Sequence, residues 1–194
     1  MPKYTKVKPV GVDIVVQKYQ EKLWRQLLLL WNLVEADYIS YGRCYRNQRP
    51  SGYVPEMFQT GTTLGTEYKE LFLDDKVKVT SFFGCETENV TDTIFTSQGH
   101  LIFIVDLTKL GKTAQHRPDE EVRQDVYNIL AASSNRDLQV TGIITGIDKV
   151  FSEYTGWKAT AGGVNYTDMH PKHCFRINFT ATFTPNNSCL PVFN

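Results

Sequence analysis

The segment Leu101-Ile-Phe-Ile-Val105 contains five apolar residues in succession, which predict a strand that is covered on both faces. We predict this strand over residues 100–107, in the centre of a sheet. Residues 90–96 also have the composition of a strand, and Ser97-Gln-Gly99 between the two segments has the composition of a turn. The three segments together predict a β-hairpin.

Two helices are predicted to pack on this sheet. The second begins at Pro118, carries acidic residues in its first turn, where the helix dipole favours negative charge, and ends near residues 132–135. The first spans residues 13–37, where apolar residues recur every three or four positions: Val16, Tyr19, Leu23, Leu27, Leu30 and Val34. Further apolar residues off this stripe indicate a second buried face, which a neighbouring subunit could cover: Trp24, Leu28, Leu29 and Trp31.

The remaining strands are predicted at residues 76–85, 140–144, 149–154 and 173–183, the last with strict alternation of apolar and polar residues. This order of elements predicts an α+β fold with a mainly antiparallel sheet, on which an N-terminal helix and a middle helix pack. We expect one domain over residues 1–194, with an N-terminal arm at 1–12. Residues 40–75, interrupted by Gly and Pro, are predicted to be a long irregular insertion arm.

Composition excludes several classes of protein. The 194 residues are 41% hydrophobic, which is enough for a core, and 21 basic residues balance 21 acidic ones, so no bulk charge attracts nucleic acid or an anionic membrane. The longest apolar run, residues 27–31, is too short to cross a bilayer, and the first residues do not resemble a signal peptide. We therefore expect a protein made in the cytoplasm whose four cysteines are reduced.

Motifs for catalysis or cofactor binding are not evident in the sequence. Neither a nucleophile elbow nor a phosphate-binding glycine loop is found, and the acidic groups at 74–75 and 119–121 are explained by a turn and by helix capping. The spacing His170-x-x-His173-Cys174 suggests zinc, but adjacent strand residues point to opposite faces. We predict no catalytic residue, cofactor or metal ion, and thus no enzyme.

The segment Tyr41-Gly-Arg-Cys-Tyr-Arg-Asn-Gln-Arg49 interleaves arginine with tyrosine. These residue types dominate protein interfaces, but they also stack on bases and bind phosphates. The zero net charge favours the protein interface; a nucleic-acid-associated domain and a solvated loop remain the alternatives. Together with aromatic residues that follow, the candidates for a subunit interface are Arg43, Tyr45, Arg46, Arg49, Tyr53, Phe58 and Tyr68.

The order of elements resembles the tail-terminator or tail-completion family of tailed bacteriophages. Four short segments also resemble neck-ring proteins of crAss-like phages: Tyr45-Arg-Asn47, Gly52-Tyr-Val-Pro-Glu56, Glu67-Tyr-Lys-Glu70 and Ser81-Phe-Phe-Gly84. The resemblance implies a structural protein of the virion neck that forms a six- or twelve-fold ring of identical subunits. It also implies contacts with portal, connector or tail ring proteins, a channel that DNA traverses without sequence-specific binding, and no membrane.

Overall fold

The computed structural model describes residues 3–58, 68–71, 73–111, 117–132, 137–157 and 171–184. Within these ranges the helices are α1 (Val12–Leu30), α2 (Pro118–Ala131) and the short α3 (Ile147–Val150), with one 3-10 turn at Glu35–Asp37. The strands in the same ranges are β1 (Tyr38–Arg49), β2 (Gly52–Phe58), β3 (Tyr68–Glu70), β4 (Val79–Thr91), β5 (Ile94–Asp106), β6 (Leu138–Thr145) and β7 (Lys172–Phe183). Among them, no helix combines the length and the apolar content that a bilayer-spanning helix needs.

The seven strands form one sheet in the order β3-β2-β1-β4-β5-β7-β6. Only the central neighbours β1 and β4 run parallel, and the other five pairs are antiparallel. The α+β fold with a mainly antiparallel sheet, an N-terminal helix and a middle helix is therefore confirmed. Strands β2 and β3 lie beyond β1, whereas β5, β7 and β6 lie beyond β4. The sheet is therefore built in opposite directions from this central pair, and the direction of the winding changes between β1 and β4.

Each face of the sheet has its own core. On one face, α1 and α2 pack against alternate residues of the central strands, including Leu101, Phe103 and Phe175. On the other face, Ile102 and Ile104 contact a smaller core that the segment after β6 covers. The predicted stripe of α1 is buried from Val16 to Leu27, and the continuous apolar run of β5 is covered on both faces, as predicted.

The prediction of an irregular insertion at residues 40–75 is wrong for most of its length. Strand β1 occupies its first part, and β2 and β3 pair with it in antiparallel order. The alternation was hidden because both faces of β1 are packed: Cys44 contacts the smaller core while Arg43 reaches Asp13 of α1. Pro55 fits within β2, where its carbonyl accepts a hydrogen bond from the Leu71 amide. Residues 59–67 and 72 lie outside the described ranges.

Three further predictions need correction: the position of a hairpin turn, the end of a helix and the type of one element. The hairpin turn lies at Asp92-Thr93 and not at residues 97–99, because Thr91 pairs with Ile94 and Asp92 adopts a positive φ of 57° that suits a two-residue turn. Helix α1 ends at Leu30 and not at residue 37. The predicted strand at 149–154 is instead the end of α3 and a turn, since its apolar residues pack over the sheet and do not pair with a strand.

Cys44 and Cys85 are free thiols. Burial raises the pKa of the Cys44 thiol above its usual range. Cys189 lies outside the described ranges, as does His170 of the suggested zinc spacing.

Candidate functional site

A cleft opens where the central pair of strands separates. The parallel register of β1 and β4 ends at Cys44 and Gly84, and beyond this point β1 continues with β2 while β4 continues with β5. The cleft has a volume of about 430 Å³. It is lined by Cys44, Tyr45, Arg46, Gly84, Cys85, Glu86, His100, Glu153 and Tyr154. Clefts at the carboxyl ends of parallel strands, where the winding changes direction, are frequent ligand sites in open α/β sheets.

His100 of β5 lies at the base of this cleft with its side chain 1% exposed. Its Nδ1 is 3.1 Å from Oε1 of Glu86 in β4, and its Nε2 is 2.9 Å from the hydroxyl of Tyr154. Strand alternation explains the direction of the ring, because Leu101 faces the helices and its neighbour must face the other way. Both imidazole nitrogens are thus held by polar groups.

Gly84 makes room for the imidazole. A Cβ at this position would lie 2.3 Å from Nε2 of His100 and 2.7 Å from the Tyr154 hydroxyl, closer than atoms can approach. Glycine is therefore required here for steric reasons. It allows the side chain from β5 and the side chain from the segment after α3 to meet across β4.

Arg176 of β7 closes the cluster from the opposite side. Its guanidinium pairs with Oε1 of Glu153, lies 3.5 Å from Oε1 of Glu86, and donates a 2.7 Å hydrogen bond to Asn178. The second oxygen of Glu153, Oε2, is buried, lies 3.4 Å from Nδ1 of His100, and accepts no hydrogen bond from the described residues. One arginine therefore offsets two carboxylates.

The electrostatics of the cluster follow from burial and from these contacts. The hydrogen bond with His100 lowers the pKa of Glu86 to about 2, whereas burial and the adjacent Glu86 raise the pKa of Glu153 to about 7. Burial also lowers the pKa of His100 and raises that of Tyr154. At neutral pH the imidazole and the phenol are uncharged, and Glu86 is the more readily ionised of the two carboxyl groups.

Some of the predicted interface residues meet on the helix-bearing face of the sheet. The Arg43 guanidinium is 3.3 Å from Asp13 and lies over the Tyr45 ring, 5.1 Å from its centre. Tyr68 makes edge contacts with Tyr45 and Phe58, with ring centres 5.3 and 5.4 Å apart. These four candidates thus form one contiguous aromatic and arginine group.

Two of the other candidates, Arg46 and Tyr53, lie on the opposite face, whereas Arg49 shares the face of this group. Arg46 stacks on Tyr53 at 4.4 Å and lines the cleft, while Arg49 pairs with the buried carboxylate of Glu56. Asn47 donates a second hydrogen bond of 2.9 Å to the same carboxylate. The seven candidates are therefore divided between the two faces of the sheet and do not form one surface.

The charged cluster in the cleft is not evident from the sequence. Its members come from β4, β5, β7 and the turn after α3, so no spacing along the chain joins them. One signal was present: Arg176 stands between Phe175 and Ile177 on the polar face of an alternating strand, yet it is only 9% exposed. A buried arginine requires acidic partners nearby.

Comparison with known proteins adds no family assignment: no protein-family model matches the sequence, and no curated protein is significantly similar to it.

Proposed function

We propose that this chain is a structural virion protein that forms a ring in the head-to-tail junction of a tailed phage, around the channel through which DNA passes. The observation that carries the proposal is a pair of apolar surfaces at the two ends of α1. A ring subunit needs two different surfaces of this kind, because each copy must bind one neighbour with its head and the other with its tail.

The first surface, here called the C-terminal patch, consists of Leu29, Leu30 and Val34. Their exposed fractions are 84%, 56% and 64%, although the same helix buries Leu27 completely. Adjacent exposed leucines at a helix end are costly to leave in water and are suited to burial by a partner.

The second surface, here called the N-terminal patch, consists of Ile14, Ile94 and Phe183. These residues line a depression of about 530 Å³ beside the tip of the β4–β5 hairpin, and Ile94 is 47% exposed. A concave apolar surface of this size can accept the protruding side chains of a neighbouring copy.

The two patches are well separated along the helix. Ile14 and Leu29 are fifteen residues apart in α1, a distance of about 22 Å at 1.5 Å per residue. If the C-terminal patch of one copy enters the N-terminal patch of the next, the contact is head-to-tail, and repetition gives a closed ring when the rotation between copies is suitable.

The arginine contacts favour this proposal over a nucleic-acid-associated domain. Arg43 is paired with Asp13 and Arg49 with Glu56, so two of the three arginines in the segment at 41–49 already have carboxylate partners. Phosphate binding would require these pairs to be broken. A channel that is not positively charged lets DNA pass without being gripped, and the zero net charge of the chain fits this.

The experiment that tests the proposal is the mass of the purified protein across a concentration series, measured by light scattering with and without DNA. We expect a discrete oligomer whose fraction increases with protein concentration and whose mass does not change when DNA is added. Electron micrographs should show rings. An antibody against the chain should label the head-to-tail junction of phage particles. A monomer that changes mass only with DNA, and reverts in salt, would overturn the proposal in favour of the nucleic-acid alternative.

A further inference from the structure

We propose that Glu86, His100 and Glu153 bind one divalent transition-metal ion, for which Zn²⁺ is the representative, and that the ion fastens the segment after α3 to the sheet. The three ligand atoms lie within 4.8 Å of one another, and the described residues contain no other group of three such side chains at this spacing. This proposal does not depend on the ring, because no residue that lines the cleft belongs to either apolar patch.

The distances around the imidazole fit a metal centre. In a tetrahedral zinc site with bonds of 2.0–2.2 Å, neighbouring ligand atoms are about 3.3 Å apart. Nδ1 of His100 lies 3.1 Å from Oε1 of Glu86 and 3.4 Å from Oε2 of Glu153. A small shift of the side chains would place the ion between the three atoms, with its fourth position open to the cleft.

The buried oxygen of Glu153 is the second indication of a ligand. Oε2 accepts no hydrogen bond from a described donor, so without a cation this buried oxygen is balanced only by a proton shared with Glu86. The other oxygen is already held by Arg176, which fixes the carboxylate plane and directs Oε2 towards the imidazole. A cation at this point would satisfy Oε2 and offset the repulsion between the two carboxylates.

The Tyr154 hydroxyl supports a metal-bound imidazole. Metal-bound histidines usually donate their other N–H to an oxygen, which selects the tautomer. Nε2 of His100 is 2.9 Å from this hydroxyl, which can accept a hydrogen bond from Nε2 when Nδ1 binds the ion. When the ion is absent, the hydroxyl can instead donate to Nε2 while Nδ1–H donates to Glu86.

The donor set indicates which ions fit. One imidazole and two carboxylates suit Zn²⁺, Mn²⁺ or Fe²⁺ better than ions that prefer thiolate or only oxygen ligands. The charges of the cluster also favour a cation. Glu86 and Glu153 contribute −2 when ionised and Arg176 contributes +1, so the cluster has a net negative charge that a cation can offset.

The test is a titration of the tag-free, chelator-treated full chain with Zn²⁺ in a calorimeter, together with its thermal unfolding. We expect one ion per chain and a higher unfolding temperature with zinc, because the ion binds only the folded site. Glu153→Gln, which keeps the contact with Arg176, should weaken zinc binding by at least tenfold. Tyr154→Phe should weaken it by about tenfold, as outer-shell substitutions do.

Glu88→Gln is the matched control, since Glu88 is an exposed carboxylate two positions after Glu86 in β4. It should bind zinc as the unmodified chain does. Co²⁺ spectra identify the ligands, because thiolate ligands produce an intense near-ultraviolet band that nitrogen and oxygen ligands lack. The proposal is overturned if zinc does not bind saturably, if Glu153→Gln binds it unchanged while remaining folded, or if the cobalt spectrum shows thiolate ligation.

Discussion

Gly84 determines how closely the elements around the cleft can approach. A methyl group there would overlap both His100 and the Tyr154 hydroxyl. We expect Gly84→Ala to separate these two side chains and to lower the free energy of unfolding by about 1–3 kcal/mol, the usual range for overpacking a core. Thermal or urea unfolding measures this loss.

Gly142→Ala is the control for this substitution. Gly142 lies in β6, and a Cβ there would meet no atom within 4 Å. This variant should be as stable as the original chain or slightly more stable, since alanine restricts the unfolded state. Equal losses in the two variants would contradict the steric role of Gly84.

Asp137 links the start of β6 to α1 and gives the protein a pH dependence. Burial acts to raise the pKa of its carboxyl, but hydrogen bonds from Lys18 and Tyr19 outweigh it, so the pKa lies below 3.8. A carboxyl with a lowered pKa in the folded state stabilises the fold above its unfolded pKa, near 4, and this contribution is lost as the pH falls through the folded value.

We therefore expect the unfolding temperature to fall below about pH 4, and Asp137→Asn to lower it at pH 7 while reducing the difference between pH 7 and pH 3. The measurement is thermal unfolding of both proteins over this pH range. A variant with the full pH dependence of the original would show that this carboxyl does not contribute.

At the scale of the element, α1 has both buried and exposed apolar residues, and the sequence pattern alone did not distinguish them. Leu27 is fully buried against the sheet, so Leu27→Asp should cost more than the roughly 2–5 kcal/mol of a typical Leu→Ala change and leave the chain unfolded. Circular dichroism and thermal unfolding test this. A soluble, cooperatively unfolding variant would contradict the burial.

Leu29→Asp has the opposite expectation, because Leu29 is 84% exposed in the single chain. The variant should fold with an unchanged unfolding temperature as a monomer, while losing the concentration-dependent oligomer in light scattering. Normal assembly of this variant would mean that the C-terminal patch is surface only. The pair of substitutions, two residues apart, separates folding from assembly.

At the scale of the whole molecule, the ring proposal predicts the behaviour of mixed subunits. Leu29→Asp leaves the N-terminal patch intact, and Ile94→Asp leaves the C-terminal patch intact. If the contact is head-to-tail, each variant alone is a monomer, and an equal mixture forms dimers with one good interface and no ring. Light scattering of the mixture tests this; rings in the mixture would contradict a single head-to-tail contact.

Much of the fold could be predicted from the sequence. The apolar run of β5, the stripe of α1 and the acidic first turn of α2 are local patterns, and each of them appears in the structure at about the predicted position. The alternation of β7 also predicted its core face. These signals succeeded because one face or both faces of each element are buried against elements of the same chain.

Tertiary structure alone decided two features. The strands within residues 40–75 could not be predicted from the sequence. Strand β1 is packed on both faces with polar and aromatic residues, so its hydrophobicity does not alternate with a period of two. The cluster of Glu86, His100, Glu153 and Arg176 depends on the order of strands β4, β5 and β7 and on the turn that crosses them. Local sequence specifies periodicity and burial, whereas the meeting of charged groups from distant segments depends on strand order and register.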